Sequence, residues 1–145
     1  MPTDIHTFSN ALVGHLLDHW PHTPITRAGS GGFDLTGTVI GDLFSLNHDF
    51  LEVMVYDEGR SSAGVNYASG TKSHGFIDIN VYTGLDSGDS ELVRLTGLLY
   101  PIFERKRINS AQVRPAAGVT KPYEYRGRLC KSISFPFEFF SGPVC

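Results

Sequence analysis

Residues 74–107 read HGFIDINVYTGLDSGDSELVRLTGLLYPIFERKR, and this stretch organises the rest of the chain. From Phe76 to Tyr82 the residues alternate: Ile77, Ile79 and Val81 point one way, and Phe76, Asp78, Asn80 and Tyr82 the other. Period two with β-branched residues predicts a strand with one buried face. Gly84, Ser87 and Gly88 break the chain, and Asp89 or Ser90 offers a short side-chain oxygen to cap a helix. Leu92, Leu95, Leu99, Ile102 and Phe103 then form an apolar helical stripe. Pro101 lacks an N–H, so the helix is expected to kink or end near Tyr100.

Outward from this unit, Thr3 caps a first helix whose apolar face is Ile5, Phe8, Leu12 and Leu16, running to about Trp20 before Pro21 and Pro24 stop it. Residues 21–34 read as loop. Residues 35–47 are apolar and partly β-branched, but glycines interrupt them. Phe50–Tyr56 alternates as a second strand, with Leu51, Val53 and Val55 on its apolar side. Residues 57–73 are polar and rich in Gly and Ser, which predicts a long mobile hairpin tip. Ala111–Arg114 reads as a short strand, 115–127 as loop and Leu129–Phe140 as the last strand. Pro136 cannot donate a ladder bond, which predicts an edge position or a bulge for that strand. The fold class expected is α+β: two helices on one face of a mainly antiparallel sheet, in α–β–β–α–β order, as one domain over residues 1–145.

Composition is that of a globular chain: 145 residues, 41% hydrophobic and 19% charged. No apolar run approaches the roughly 18 residues of a membrane span, and the polar N-terminus does not read as a signal peptide. Cys130 and Cys145 give neither a disulfide framework nor a metal spacing and read as free thiols. The net charge of −3 is unevenly divided. Residues 1–104 carry 4 basic and 13 acidic side chains (net −9), and residues 105–145 carry 8 basic and 2 acidic (net +6). Such a split predicts charge-complementary contact with a partner.

Catalytic chemistry finds little purchase. His15 and His19 share a helical face, but a metal site needs further ligands and a second shell, and His22 lies beyond the helix. RAGSGGFD at 27–34 lacks the strand, helix and Lys-Ser/Thr pair of a phosphate loop. Acidic residues are scattered rather than paired, so the chain reads as a non-enzyme without metal or cofactor. The candidate protein-contact residues are Arg60, Tyr67 and Lys72 near the hairpin tip, and Arg105, Arg107, Arg114, Arg126 and Arg128 in the basic C-terminal part.

Three segments carry a family resemblance. HGFIDINVYTGLDSGDS resembles a "Gly-x-x-x-hydrophobic-x-Val-x-x-Pro-x-Gly-x-Gly" strand and loop, with Gly84 where a proline is common. ELVRLTGLLYPIFERKRI resembles a "Leu-x-x-x-hydrophobic-x-x-x-Phe" helix, and RGRLCKSISFPFEFF resembles a closing strand ending in an apolar-Pro-Phe pattern. Together they resemble the tail terminators, or tail-completion proteins, of bacteriophages with long non-contractile tails. Residues 21–49 have no counterpart. The resemblance implies a structural virion protein at the head-proximal end of the tail, assembled in the host cytoplasm as a homo-hexameric ring. Such a ring caps the tail tube, meets the head connector or neck protein, and passes DNA only as cargo. The alternatives are a head-completion or neck protein and, outside the virion, a small α+β ligand-binding or enzymatic domain.

Overall fold

The computed structural model describes residues 5–27, 49–62, 71–108 and 111–141. Helix α1 (Ile5–His19) leads through a short turn into β1 (Ile25–Arg27). Two long strands follow, β2 (Phe50–Ser62) and β3 (Thr71–Gly84). A 3-10 turn at Leu85–Ser87 enters α2 (Gly88–Phe103). The short strands β4 (Arg107–Ile108), β5 (Ala111–Val113), β6 (Gly118–Val119) and β7 (Tyr123–Tyr125) precede the long β8 (Arg128–Ser141).

The expected α–β–β–α–β sandwich is not what forms. Among the described residues strand dominates, and their eight strands make one curled, mixed sheet. Its order is β1-β2-β3-β8-β5-β4, with β6 and β7 also on β8. β1 runs parallel to β2, pairing Ile25 with Leu51, and the other pairs are antiparallel. The strands missed from sequence are two or three residues long, too short to show a period, and their backbone groups pair whatever side chains they carry.

Two further expectations are corrected. Residues 57–62 and 71–73 are not a structureless tip. They extend β2 and β3, in register from Phe50↔Tyr82 to Ser62↔Thr71, with one bulge between Asp57 and Gly59. Polar side chains suit strands whose outer side meets solvent, so composition alone misplaced the strand ends. The remaining tip, including Tyr67, lies outside the described residues, as does the side chain of Arg60. Nor is β8 an edge strand. It pairs with β3 over fourteen partners, Gly84↔Arg128 to Thr71↔Ser141, and with β7, β6 and β5 in turn on its other side. The Pro136 carbonyl accepts from Arg114 N at 2.8 Å. The ring nitrogen therefore faces the same side, where β5 has ended and β6 has not begun, and no donor is required there.

α2 begins one residue before the expected caps, entered through Gly88 at φ 66°. Pro101 does not end it. The helix runs on to Phe103, and the chain reverses at Arg105, which adopts φ 59°. Proline near a helix end removes a single hydrogen bond, and α1 assists: His15 Nε2 donates to the Ile102 carbonyl at 2.9 Å.

The main core gathers Phe8, Leu12 and Leu16 of α1, Leu92, Leu95 and Leu99 of α2, and alternate residues of the long strands. The strand set comprises Leu51 and Val53, Ile77, Ile79 and Val81, and Ile133, Phe135, Phe137 and Phe139, all essentially sealed from solvent. Phe8 packs on Phe137 with ring centroids 4.4 Å apart. Gly75 sits opposite the β2 bulge, where a Cβ would fall 2.0 Å from the Tyr56 carbonyl oxygen, so no larger residue fits without moving backbone.

Candidate functional site

The other face of the long strands carries the even-numbered residues of β3 and β8. Glu52, Met54 and Tyr56 of β2 lie beside Asn80, Asp78 and Phe76 of β3, which lie beside Ser132, Ser134 and Pro136 of β8. None of these belongs to the main core cluster.

A hydrogen-bonded ladder crosses four strands on this face. Cys130 Sγ donates to Tyr123 Oη at 3.2 Å, and that hydroxyl lies 3.2 Å from Ser132 Oγ. Ser132 Oγ donates to Asn80 Oδ1 at 2.5 Å, and Asn80 Nδ2 donates to Glu52 Oε1 at 3.2 Å. Tyr82 Oη reaches the same carboxylate oxygen at 3.4 Å. Beside the ladder, Ser134 Oγ donates to Asp78 Oδ1 at 2.5 Å. Each polar group here fixes its neighbour across a strand, so the face is rigid rather than merely wet. Burial, then the Glu52 charge, pushes the Tyr82 hydroxyl pKa far above the ordinary phenol range. Burial likewise raises the Cys130 thiol. Neither group is set up as a nucleophile.

Between these polar rungs stand large apolar side chains open to solvent: Met54 (46% exposed), Tyr56, Tyr123 and Tyr125. Tyr56 lies against Phe76, centroids 5.8 Å apart. Aromatics and a methionine on a polar-framed face are the composition of a protein-contact surface. At the end of the sheet where β2 begins, Phe50 stacks on Tyr82 at 4.6 Å, and the Arg128 guanidinium lies 5.6 Å over the Phe50 ring.

The residues singled out from sequence separate in space. Lys72 and Arg114 converge on Glu138, Lys72 at 3.0 Å, and so serve their own subunit. These two bonds, Lys72 first, hold the Glu138 carboxyl below its usual range. Arg105 and Arg107 are exposed where the chain leaves α2, and Arg126 sits at φ 52° in the turn between β7 and β8. Arg128 is not on the surface but 3% exposed. The three histidines also part. The rings of His15 and His19 lie tilted against each other, centroids 4.3 Å apart, and donate to backbone carbonyls, and His22 lies edge-on to Trp20. Among the described residues no three His, Cys, Asp or Glu side chains gather around a possible metal position. Of the 27–34 glycine stretch, only Arg27 is described. It ends β1 and bonds Asn10 and Ser9 of α1. The ladder itself was not read from sequence, although its signal was there: polar residues at every second position of two strands, in phase with each other.

No family model and no curated protein matches the chain. A solved structure whose name states no activity does match, at 15% identity and a TM-score of 0.58. The match spans 94% of this chain and 93% of the other. At that identity it speaks for the fold alone. No helix among the described residues is long and apolar enough to cross a membrane.

Proposed function

We propose that this chain is a structural protein of a phage tail: a terminator that assembles as a ring, caps the tail tube and joins it to the head connector. The observation that carries the reading is the sheet face turned away from the two described helices, a polar ladder set with exposed Met54, Tyr56, Tyr123 and Tyr125. A face so built suits lasting contact with protein rather than turnover of a small molecule. The resemblance adds support from placement. Its three segments become β3, α2 and β8, which are neighbours in the fold. A closed ring needs two different complementary patches on each subunit. The open face offers one, and the exposed Arg105 and Arg107 mark a basic region elsewhere. On this reading the partners are other copies of the chain, the tube protein and the connector, and its place is the head-proximal end of the tail.

Electron microscopy of the purified protein, alone and mixed with tail-tube protein, tests this. Rings of constant subunit number that cap tube ends are the expected result. A monomer at the highest soluble concentration that leaves tube ends bare would contradict it.

A further inference from the structure

We propose that copies of this chain join by extending their sheets: the outer edge of β2, from Val55 to Gly59, receives β4 of the next copy. The inference rests on the ring reading above and names the joint between neighbouring subunits.

Both edges are open to a neighbour. β2 spans Phe50–Ser62, yet β1 lies beside it only from Leu51 to Val53. Leu51 N donates to the Pro24 carbonyl at 3.0 Å. Backbone groups alternate in direction along a strand, so those of Val53 and Val55 turn to the same outer side. Beyond Val53 no described strand pairs there. Val55 records the gap. Leu51 and Val53 are sealed, whereas Val55 on the same face is only partly buried, although its partner Ile77 is sealed. At the other margin β4 ends the strand order. The Lys106 carbonyl accepts from Val113 N at 2.9 Å, so the backbone groups of the next residue, Arg107, turn away from β5. A strand edge with outward N–H and C=O groups is a template for another strand.

Height, sense and charge single out β4 as the strand that β2 receives. One row of paired residues crosses the sheet through Gly59, His74, Glu138, Gln112 and Arg107. Its ends are the open part of β2 and β4, so the two edges stand at one level. β2, β8 and β4 run in the same direction, because an antiparallel strand separates each from the next. Rotation about an axis along the strands therefore brings β4 of one copy beside β2 of the next at the same height. It arrives parallel to β2, as β1 already is. Asp57 and Glu58 are exposed on β2, and Arg105, Lys106 and Arg107 are exposed where the chain enters β4. Glu58 and the three cations form no ion pair among the described residues. Like charges oppose β2 against β2 and β4 against β4. Only the unlike edges attract, which gives the head-to-tail joint that closes into a ring.

Two measurements test the joint. In hydrogen exchange of the wild type, the Val55 and Arg107 amides should exchange at least about tenfold more slowly in the assembled protein than after dilution to monomer. Equal rates in both states would overturn the proposal. Sedimentation equilibrium of E58R, R107E and the double variant tests the charges. Each single reversal is expected to weaken self-association at least about tenfold, because like then faces like. The double variant, with the charges exchanged, should regain most of the loss. If the wild type assembles and the single variants assemble equally well, these edges are not the joint and the ring reading stands. A double variant weaker than either single would show that the two residues act apart, and the pairing of the edges is then wrong. Exchange in the wild type decides the matter should a variant fail to fold. A wild type that never assembles removes both the joint and the ring.

Discussion

The two faces of the β2–β3–β8 sheet are built from alternate residues of the same strands, yet they solve different problems. Behind the helices, Val53, Ile79 and Ile133 lie side by side and are fully buried. One residue along each strand, Glu52, Asn80 and Ser132 lie side by side and are joined by hydrogen bonds. The first row is held by exclusion of water, which is indifferent to direction. The second is held by directed bonds that survive beside solvent only because each polar atom has a partner. The covered face fixes the fold, and the open face fixes a surface.

Substitutions on the two faces should therefore cost different amounts. The largest loss is expected behind the helices. Phe8→Ala removes a ring packed on Phe137 and Phe139 and should destabilise by about 3–5 kcal/mol in urea unfolding. A loss below about 1 kcal/mol, within the spread of surface substitutions, would erase the distinction between the faces. On the open face, Asn80→Ala breaks the link between Glu52 and Ser132 and should cost about 1–2 kcal/mol. A loss as large as that of Phe8→Ala would mean the ladder, not the core, carries the fold. The smallest effect belongs to Glu138, whose partners Lys72 and Arg114 are exposed. Glu138→Gln should cost under about 1 kcal/mol at neutral pH. Because the folded carboxyl titrates below its ordinary value of 4.5, its contribution is complete above that pH. It disappears as pH falls through the lower folded value. Melting curves of the wild type and Glu138→Gln should thus converge below that pH, and a constant gap would show that the bonds to Glu138 do not matter.

The same contrast explains what the sequence disclosed. The covered face was legible because burial imposes a period. Phe8, Leu12 and Leu16, the Ile77–Val81 alternation and the Leu92–Leu99 stripe all lie in the core. Layout was less legible. Gly118–Val119 and Tyr123–Tyr125 pair along β8, but two or three residues are too few to show the period that announces a strand. Pro136 pointed to an edge, but a single gap in the neighbouring strands accommodates it. Of the candidate contact residues, Lys72 and Arg114 turned inward to Glu138 through cross-strand register, which a list of charges cannot show. Arg128 was singled out for its charge, whereas its burial and orphaned nitrogens became visible only once β8 and β2 were placed together.

The open face as an association surface is the central claim, and Met54→Lys tests it most directly. Met54 is 46% exposed and stands opposite Asp78, so a lysine there gains an acidic neighbour and leaves the fold intact. It also places a charge in the middle of the proposed contact. Sedimentation velocity, with thermal melting as the folding control, should show a variant that melts like the wild type but sediments as a monomer where the wild type assembles. An oligomer of unchanged size and strength would contradict the account.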